Sequence, residues 1–141
     1  MGTGYRYECD RCGYSVSTSG PWEFYRDSKG NRKPYGHPVP TSEEARERGI
    51  YGFSGELYCP KCDRKFDDLI LVEFRGSSPD YSLDYFSAWA AWGKVEDMFK
   101  GGVTCPECHV TNLIWDTTEA EEAVCPRCKE GILVGEAIWI A

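Results

Sequence analysis

With 141 residues the chain can form one ordinary domain or two small ones, and pieces of half that size need a staple beyond their own core. Its formal charge of −7, from 23 acidic against 16 basic side chains, offers no global attraction to a phosphate backbone, so nucleic-acid binding would need a local basic patch. No apolar run approaches the roughly 20 residues of a membrane-spanning helix, and Ala88–Trp92 is among the longest clean ones. Eight cysteines remain to be explained.

The opening, Met1-Gly2-Thr3-Gly4-Tyr5-Arg6, lacks the apolar core of a signal peptide, and Cys9 comes too early to follow one. The expectation is a soluble cytoplasmic chain, where a reducing environment favours metal binding by cysteine over disulfides. Tyr5, Tyr7 and Cys9 alternate with charged residues, as in a strand that delivers a cysteine into the turn Cys9-Asp10-Arg11-Cys12-Gly13. Trp22–Arg26, the turn Asp27–Asn31 and Arg32–Tyr35 read as a hairpin, with Pro34 placing the return strand at an edge. Thr41-Ser42-Glu43-Glu44 has the capping-box arrangement, Thr41 capping and Glu44 reaching back, and predicts a short helix to Arg48 stopped by Gly49. Leu57-Tyr58 leads into Cys59-Pro60-Lys61-Cys62, and a β-rich run through Phe66 and Leu69–Phe74 ends at Arg75-Gly76-Ser77-Ser78-Pro79. That shift in composition divides the expected domains, 1–78 and 79–141.

From Asp80 to Lys100 the period changes to that of a helix. Tyr85, Trp89, Trp92, Val95 and Phe99 recur at three- and four-residue steps, with Ser82 as N-cap and Gly101-Gly102 as the stop. This aromatic-rich helix is expected to join the two halves. After it come Cys105-Pro106-Glu107-Cys108, a strand at Leu113-Ile114-Trp115, an acidic connection over Asp116–Glu122, Cys125-Pro126-Arg127-Cys128 and a closing strand Ile132–Ile140.

Each Cys-x-x-Cys turn can offer two thiolates to one ion, and two such turns complete the tetrahedral four-sulfur shell of structural zinc. Taking neighbours in sequence, Cys9, Cys12, Cys59 and Cys62 are expected to form site 1 and Cys105, Cys108, Cys125 and Cys128 site 2, the latter across a short hairpin, while a crossed pairing would cost only about 1–2 kcal/mol in loop closure. The segments resemble known families. Cys105–Cys108 with Cys125–Cys128 resembles the zinc ribbon; Tyr7-Glu8-Cys9-Asp10-Arg11-Cys12-Gly13-Tyr14, with Cys59–Cys62 and Phe66, resembles its rubredoxin-like version. Asp63, His109 and Lys129 stand where these families often have glycine, and the insertion between Cys12 and Cys59 is longer than a rubredoxin's. The resemblance, which covers the metal-binding segments only, implies two rubredoxin-like zinc-ribbon units with one metal ion each; with the helix read from periodicity joining them, the expected fold is α+β and β-rich. Two Zn²⁺ are expected, and rubredoxin-like iron at site 1 is the alternative, since both metals use the same four thiolates.

No Ser/His/Asp set, phosphate loop or open His/carboxylate shell supports catalysis. Arg11, Lys61, Arg64, Lys65, Arg127 and Lys129 crowd the metal turns, either as a nucleic-acid surface or as compensation for the negative thiolates. His109 and His37 read as surface or loop residues. The helical aromatic stripe reads as core, or in part as a partner surface. The expected function is that of a non-catalytic zinc protein acting as a protein-interaction module, with Trp22, Tyr25, Trp89 and Trp92 as candidate contacts. The alternatives are a nucleic-acid-binding ribbon and an iron electron carrier.

Overall fold

The computed structural model describes residues 2–36, 39–74, 83–84, 87–91, 103–109, 113 and 123–140. The strands are β1 (Thr3–Cys9), β2 (Ser15–Arg26), β3 (Arg32–Pro34), β4 (Gly52–Cys59), β5 (Arg64–Glu73), β6 (Ala123–Val124) and β7 (Ile132–Ile140). They form one antiparallel sheet in the order β5-β4-β2-β1-β7-β6, with β3 also on β2.

β2 is the organising strand. Its first half pairs with β1 (Tyr5 opposite Thr18) and its last residues pair with β3 (Tyr25 opposite Lys33), while β4 runs along its other edge. The change of partner falls at Gly20-Pro21, where the β4 register also shifts between Ser19 and Trp22. Pro21 has no N–H to contribute to a ladder, which suits such a break. In the β2–β3 turn the Asp27 carboxylate accepts from the N–H groups of Lys29 and Asn31, both at 2.9 Å, and Gly30 takes φ 82°.

The alternation expected at Tyr5, Tyr7 and Cys9 is present: these three are buried while Arg6 and Glu8 are exposed. With Tyr58, Cys125 and Leu133 they make one apolar cluster. A larger cluster gathers Phe24, Tyr25, Ile50, Tyr51, Phe53, Leu57, Cys59, Leu71, Cys105 and others. Adjacent strand residues point to opposite faces, so Tyr58 enters the first cluster and Cys59 the second.

The short helix α1 (Glu43–Arg48) is present, with one change at its start. Ser42 is the cap, its Oγ accepting from Ala45 N at 3.1 Å, while the Thr41 hydroxyl donates instead to the Pro34 carbonyl. Gly49 ends the helix at φ 79°.

The α+β architecture of two ribbons joined by one aromatic-rich helix is corrected. Strands account for 51% of the structure and helix for 11%, in a mostly β, curled half-barrel sheet with two short helices. Among the described residues no long aromatic helix joins two units. Leu83 instead forms a β-bridge with Ile50, its N–H and carbonyl each bonding at 2.8 Å. Helix α2 covers residues 87–91, with the Asp84 carboxylate accepting from Ser87 N at 2.9 Å. The expected cap Ser82 and the stripe members Tyr85, Trp92, Val95 and Phe99 lie outside the described residues, as do Ile114, Trp115 and His37. Ala88 and Trp89 pack on the larger cluster, Trp89 with its ring 4.7 Å from Phe53. Strands from residues before and after 78 share the sheet, because β1 lies between β2 and β7.

Candidate metal centres

Strand pairing sets which cysteines meet. β1 and β7 run antiparallel with Cys9 opposite Leu133, which brings the turn after β1 against the turn between β6 and β7. The outer centre is therefore Cys9, Cys12, Cys125 and Cys128. The β4–β5 turn meets the segment 103–109, and the inner centre is Cys59, Cys62, Cys105 and Cys108. In each set the four sulfurs lie within 4.8 Å of one another, so either group could hold a metal ion. The eight cysteines are those expected, but their grouping is nested, first turn with fourth and second with third, where the sequence suggested neighbours.

Sulfur separations define the chemistry. Cys9–Cys128, Cys12–Cys125 and Cys59–Cys108 are each 3.6 Å apart, and Cys62–Cys105 is 4.0 Å. A disulfide needs about 2.05 Å. Tetrahedral coordination with Zn–S bonds of about 2.3 Å puts sulfurs about 3.8 Å apart, in the middle of the observed values. Backbone amides converge on the same atoms: Arg11 and Cys12 N donate to Cys9 Sγ at 3.4 Å, Arg127 N to Cys125 Sγ at 3.4 Å and Gly131 N to Cys128 Sγ at 3.3 Å. In the inner centre Cys62 N donates to Cys59 Sγ at 3.5 Å and Glu107 N to Cys105 Sγ at 3.4 Å.

These donors favour thiolates, yet four thiolates repel one another. The N–H groups of Glu130 and Gly131 bring Cys128 down to about 6. At Cys105 burial opposes ionisation, but the amides of Cys108 and Glu107 help bring the thiol down to about 7. Cys62 is pushed up to about 12, chiefly by its hydrogen bond to Cys108, followed by burial. Cys12 also reaches about 12: the Tyr14 backbone opposes the rise, but desolvation and the Cys9, Cys125 and Cys128 sulfurs outweigh it. Without a cation the sets divide into ready and reluctant thiols; a bound dication eases the conflict by drawing all four into thiolate form, leaving a net −2 on each centre.

The residue after each second cysteine is left-handed: Gly13 (φ 77°), Asp63 (51°), His109 (63°) and Lys129 (60°). The three departures from glycine keep the glycine-like conformation, at a cost of about 1–2 kcal/mol each. That conformation turns His109 N onto the Cys105 carbonyl and Lys129 N onto the Cys125 carbonyl, both at 3.0 Å.

Charged residues around the turns are largely matched. Arg11 pairs with Glu130 across the outer centre and Arg64 with Glu107 across the inner one. Lys65 pairs with Glu56, and Arg127 Nε lies 3.0 Å from Asp63 Oδ2. Of the aromatic candidates, Tyr25 is 4% exposed and part of the core. Trp22 is half-buried, its ring 5.7 Å from that of Trp139 and its Nε1 donating to Ser19 Oγ at 3.0 Å. Trp89 packs on Phe53, and Trp92 lies outside the described residues.

Sequence reasoning assigned no role to Gly131, Tyr14, Tyr58 or Asp63. A Cβ on Gly131 would lie 2.3 Å from Cys9 Sγ, so this glycine makes room for a ligand. The signal at Asp63 was its place in a position that prefers glycine.

No family model, curated protein or solved structure matches the chain. No helix among the described residues is long and apolar enough to cross a membrane.

Proposed function

We propose that the protein is a non-catalytic, zinc-stapled β scaffold, cytoplasmic, that acts as a protein-interaction module. The observation carrying the structural-zinc reading is the pair of four-sulfur groups, each with all its sulfurs within 4.8 Å and two sulfur pairs at 3.6–4.0 Å. Four protein ligands leave no coordination position for water or substrate, which is the difference between a structural and a catalytic zinc site. Sulfur-only shells also suit iron, so metal identity is the first measurement.

Two features support a protein partner over nucleic acid. The basic side chains Arg11, Arg64, Lys65 and Arg127 each face a carboxylate, which leaves them less charge for phosphates. On β7, Val134, Trp139 and Ile140 are 60%, 44% and 72% exposed, with Ile140 on the face opposite its neighbour Trp139, and exposed apolar side chains of this kind are found at interaction sites. This moves the expected contact surface from the core aromatics to the closing strand.

The test is metal analysis of protein purified without added metal, followed by binding assays. Two zinc ions per chain, no visible absorption band and unfolding on chelation are expected. A visible band with reversible one-electron reduction would establish iron and an electron-carrier role. Tight binding to single- or double-stranded nucleic acid that falls steeply with salt would overturn the protein-partner reading. Capture of one protein, lost on Ile140→Glu with the fold retained, would support it.

A further inference from the structure

Asp63 follows Cys62, a ligand of the inner centre, yet its carboxylate is held by residues of the outer one. Its Oδ1 accepts from Tyr14 Oη at 2.7 Å and from Tyr58 Oη at 2.8 Å, and its Oδ2 faces Arg127 Nε at 3.0 Å. Tyr14 lies two residues beyond Cys12, and Arg127 lies inside the Cys125–Cys128 turn. The Arg127 guanidinium also sits 4.9 Å above the Tyr14 ring, so the two outer-centre turns grip Asp63 together. Tyr58 adds a third tie, because it packs in the cluster containing Cys9 and Cys125 while its neighbour Cys59 ligates the inner centre.

We propose that Asp63 is a positioning residue that couples the two metal centres, so that metal in one raises the affinity of the other; this rests on both sets of thiolates binding metal, as proposed above. The physical route is short. Ligation of Cys62 fixes the turn that carries Asp63, and ligation of Cys12 and Cys125 fixes the turns that carry Tyr14 and Arg127. When one centre is loaded, its half of the bridge is already in place, so ordering the other half costs less conformational entropy. The left-handed backbone at Asp63 aims the carboxylate, a task glycine at the same φ could not perform.

The experiment is a double-mutant cycle on the full chain, reading the Zn²⁺ affinity of the outer centre by competition with a chromophoric chelator. Cys105→Ser opens the inner centre. In the native background it is expected to weaken the outer centre about tenfold, within the usual range of intersite coupling. With Asp63→Ala the same replacement is expected to change it less than twofold. Tyr14→Phe, which deletes one hydroxyl and keeps the ring under Arg127, is expected to give an intermediate coupling and serves if Asp63→Ala does not fold. An Asp63 that only stabilises the fold would leave the cycle additive in both backgrounds. Equal coupling with and without the Asp63 carboxylate, or none in the native chain, overturns the proposal. Failure of the metal reading is seen separately, as fewer than two zinc ions bound by the native chain.

Discussion

Gly131→Ala tests the nested grouping of cysteines by adding one methyl group. The new Cβ would sit 2.3 Å from Cys9 Sγ and 2.8 Å from Asp10 Oδ1. Nonbonded carbon contacts are comfortable only from about 3.5 Å, so the sulfur has to move by about 1 Å. Metal–sulfur bonds tolerate about 0.2 Å. Strand β7 cannot readily yield instead, because Cys125 N bonds the Gly131 carbonyl at 2.9 Å and Ile132 N bonds Asp10 Oδ1 at 2.9 Å. The outer centre then binds with three good ligands. Apparent zinc free energies of about 10–16 kcal/mol divide into about 3 kcal/mol per thiolate, so affinity should fall by about a hundredfold. Chelator competition on the full chain reads this directly, with the inner centre as internal reference, changing by no more than the coupling. Native affinity in Gly131→Ala would show that Cys9 is not held beside Cys128 by a shared ion, and the nested grouping would fall with it.

Cys125→Ser should release one metal and leave Cys9, Cys12 and Cys128 open to alkylation while Cys105 and Cys108 stay protected; reaction at Cys105 and Cys108 instead would restore the sequence-neighbour grouping. Arg26 and Glu73 form a bidentate pair, with side chains only 15% and 12% exposed, so Arg26→Met strands a buried carboxylate and should cost about 3 kcal/mol in chemical denaturation. A cost under about 1 kcal/mol would mean that water reaches Glu73. Gly4→Ala would place a Cβ 2.2 Å from the Trp139 indole, and should break the Trp22–Trp139 contact and destabilise by about 1–3 kcal/mol. Tryptophan fluorescence reports it, and an unshifted spectrum with unchanged stability would refute the packing.

What the sequence revealed and what it concealed follow from the range of the forces involved. The four cysteine turns, the alternation at Tyr5, Tyr7 and Cys9, the turn after Arg26 and the closing strand Ile132–Ile140 are local patterns, and each is present in the structure. Which turn meets which is not local. Loop-closure entropy grows so slowly that a doubled loop costs about 0.6 kcal/mol, whereas pairing β1 with β7 contributes a ladder from Thr3 to Cys9, interrupted by one register shift between Gly4 and Tyr5. The ladder decides, and no short window contains it. The helix expected from the Ser82 cap misled at its start, because the backbone of Leu83 is committed to Ile50. Asp63 was visible only as an oddity; its three partners come from residues 14, 58 and 127.

Nested grouping imposes an order on a chain made from one end. Cys62 waits 43 residues for Cys105, but Cys12 waits 113 for Cys125. At synthesis rates of about 5–20 residues per second, the first cysteine turn stays half-filled for about 6–20 s, two to three times longer than the second. The earliest thiols to leave the ribosome are thus the last to be satisfied, and the inner centre can close while the outer one still lacks two ligands. A nascent chain exposed to oxidant during that interval should be modified first at Cys9 and Cys12.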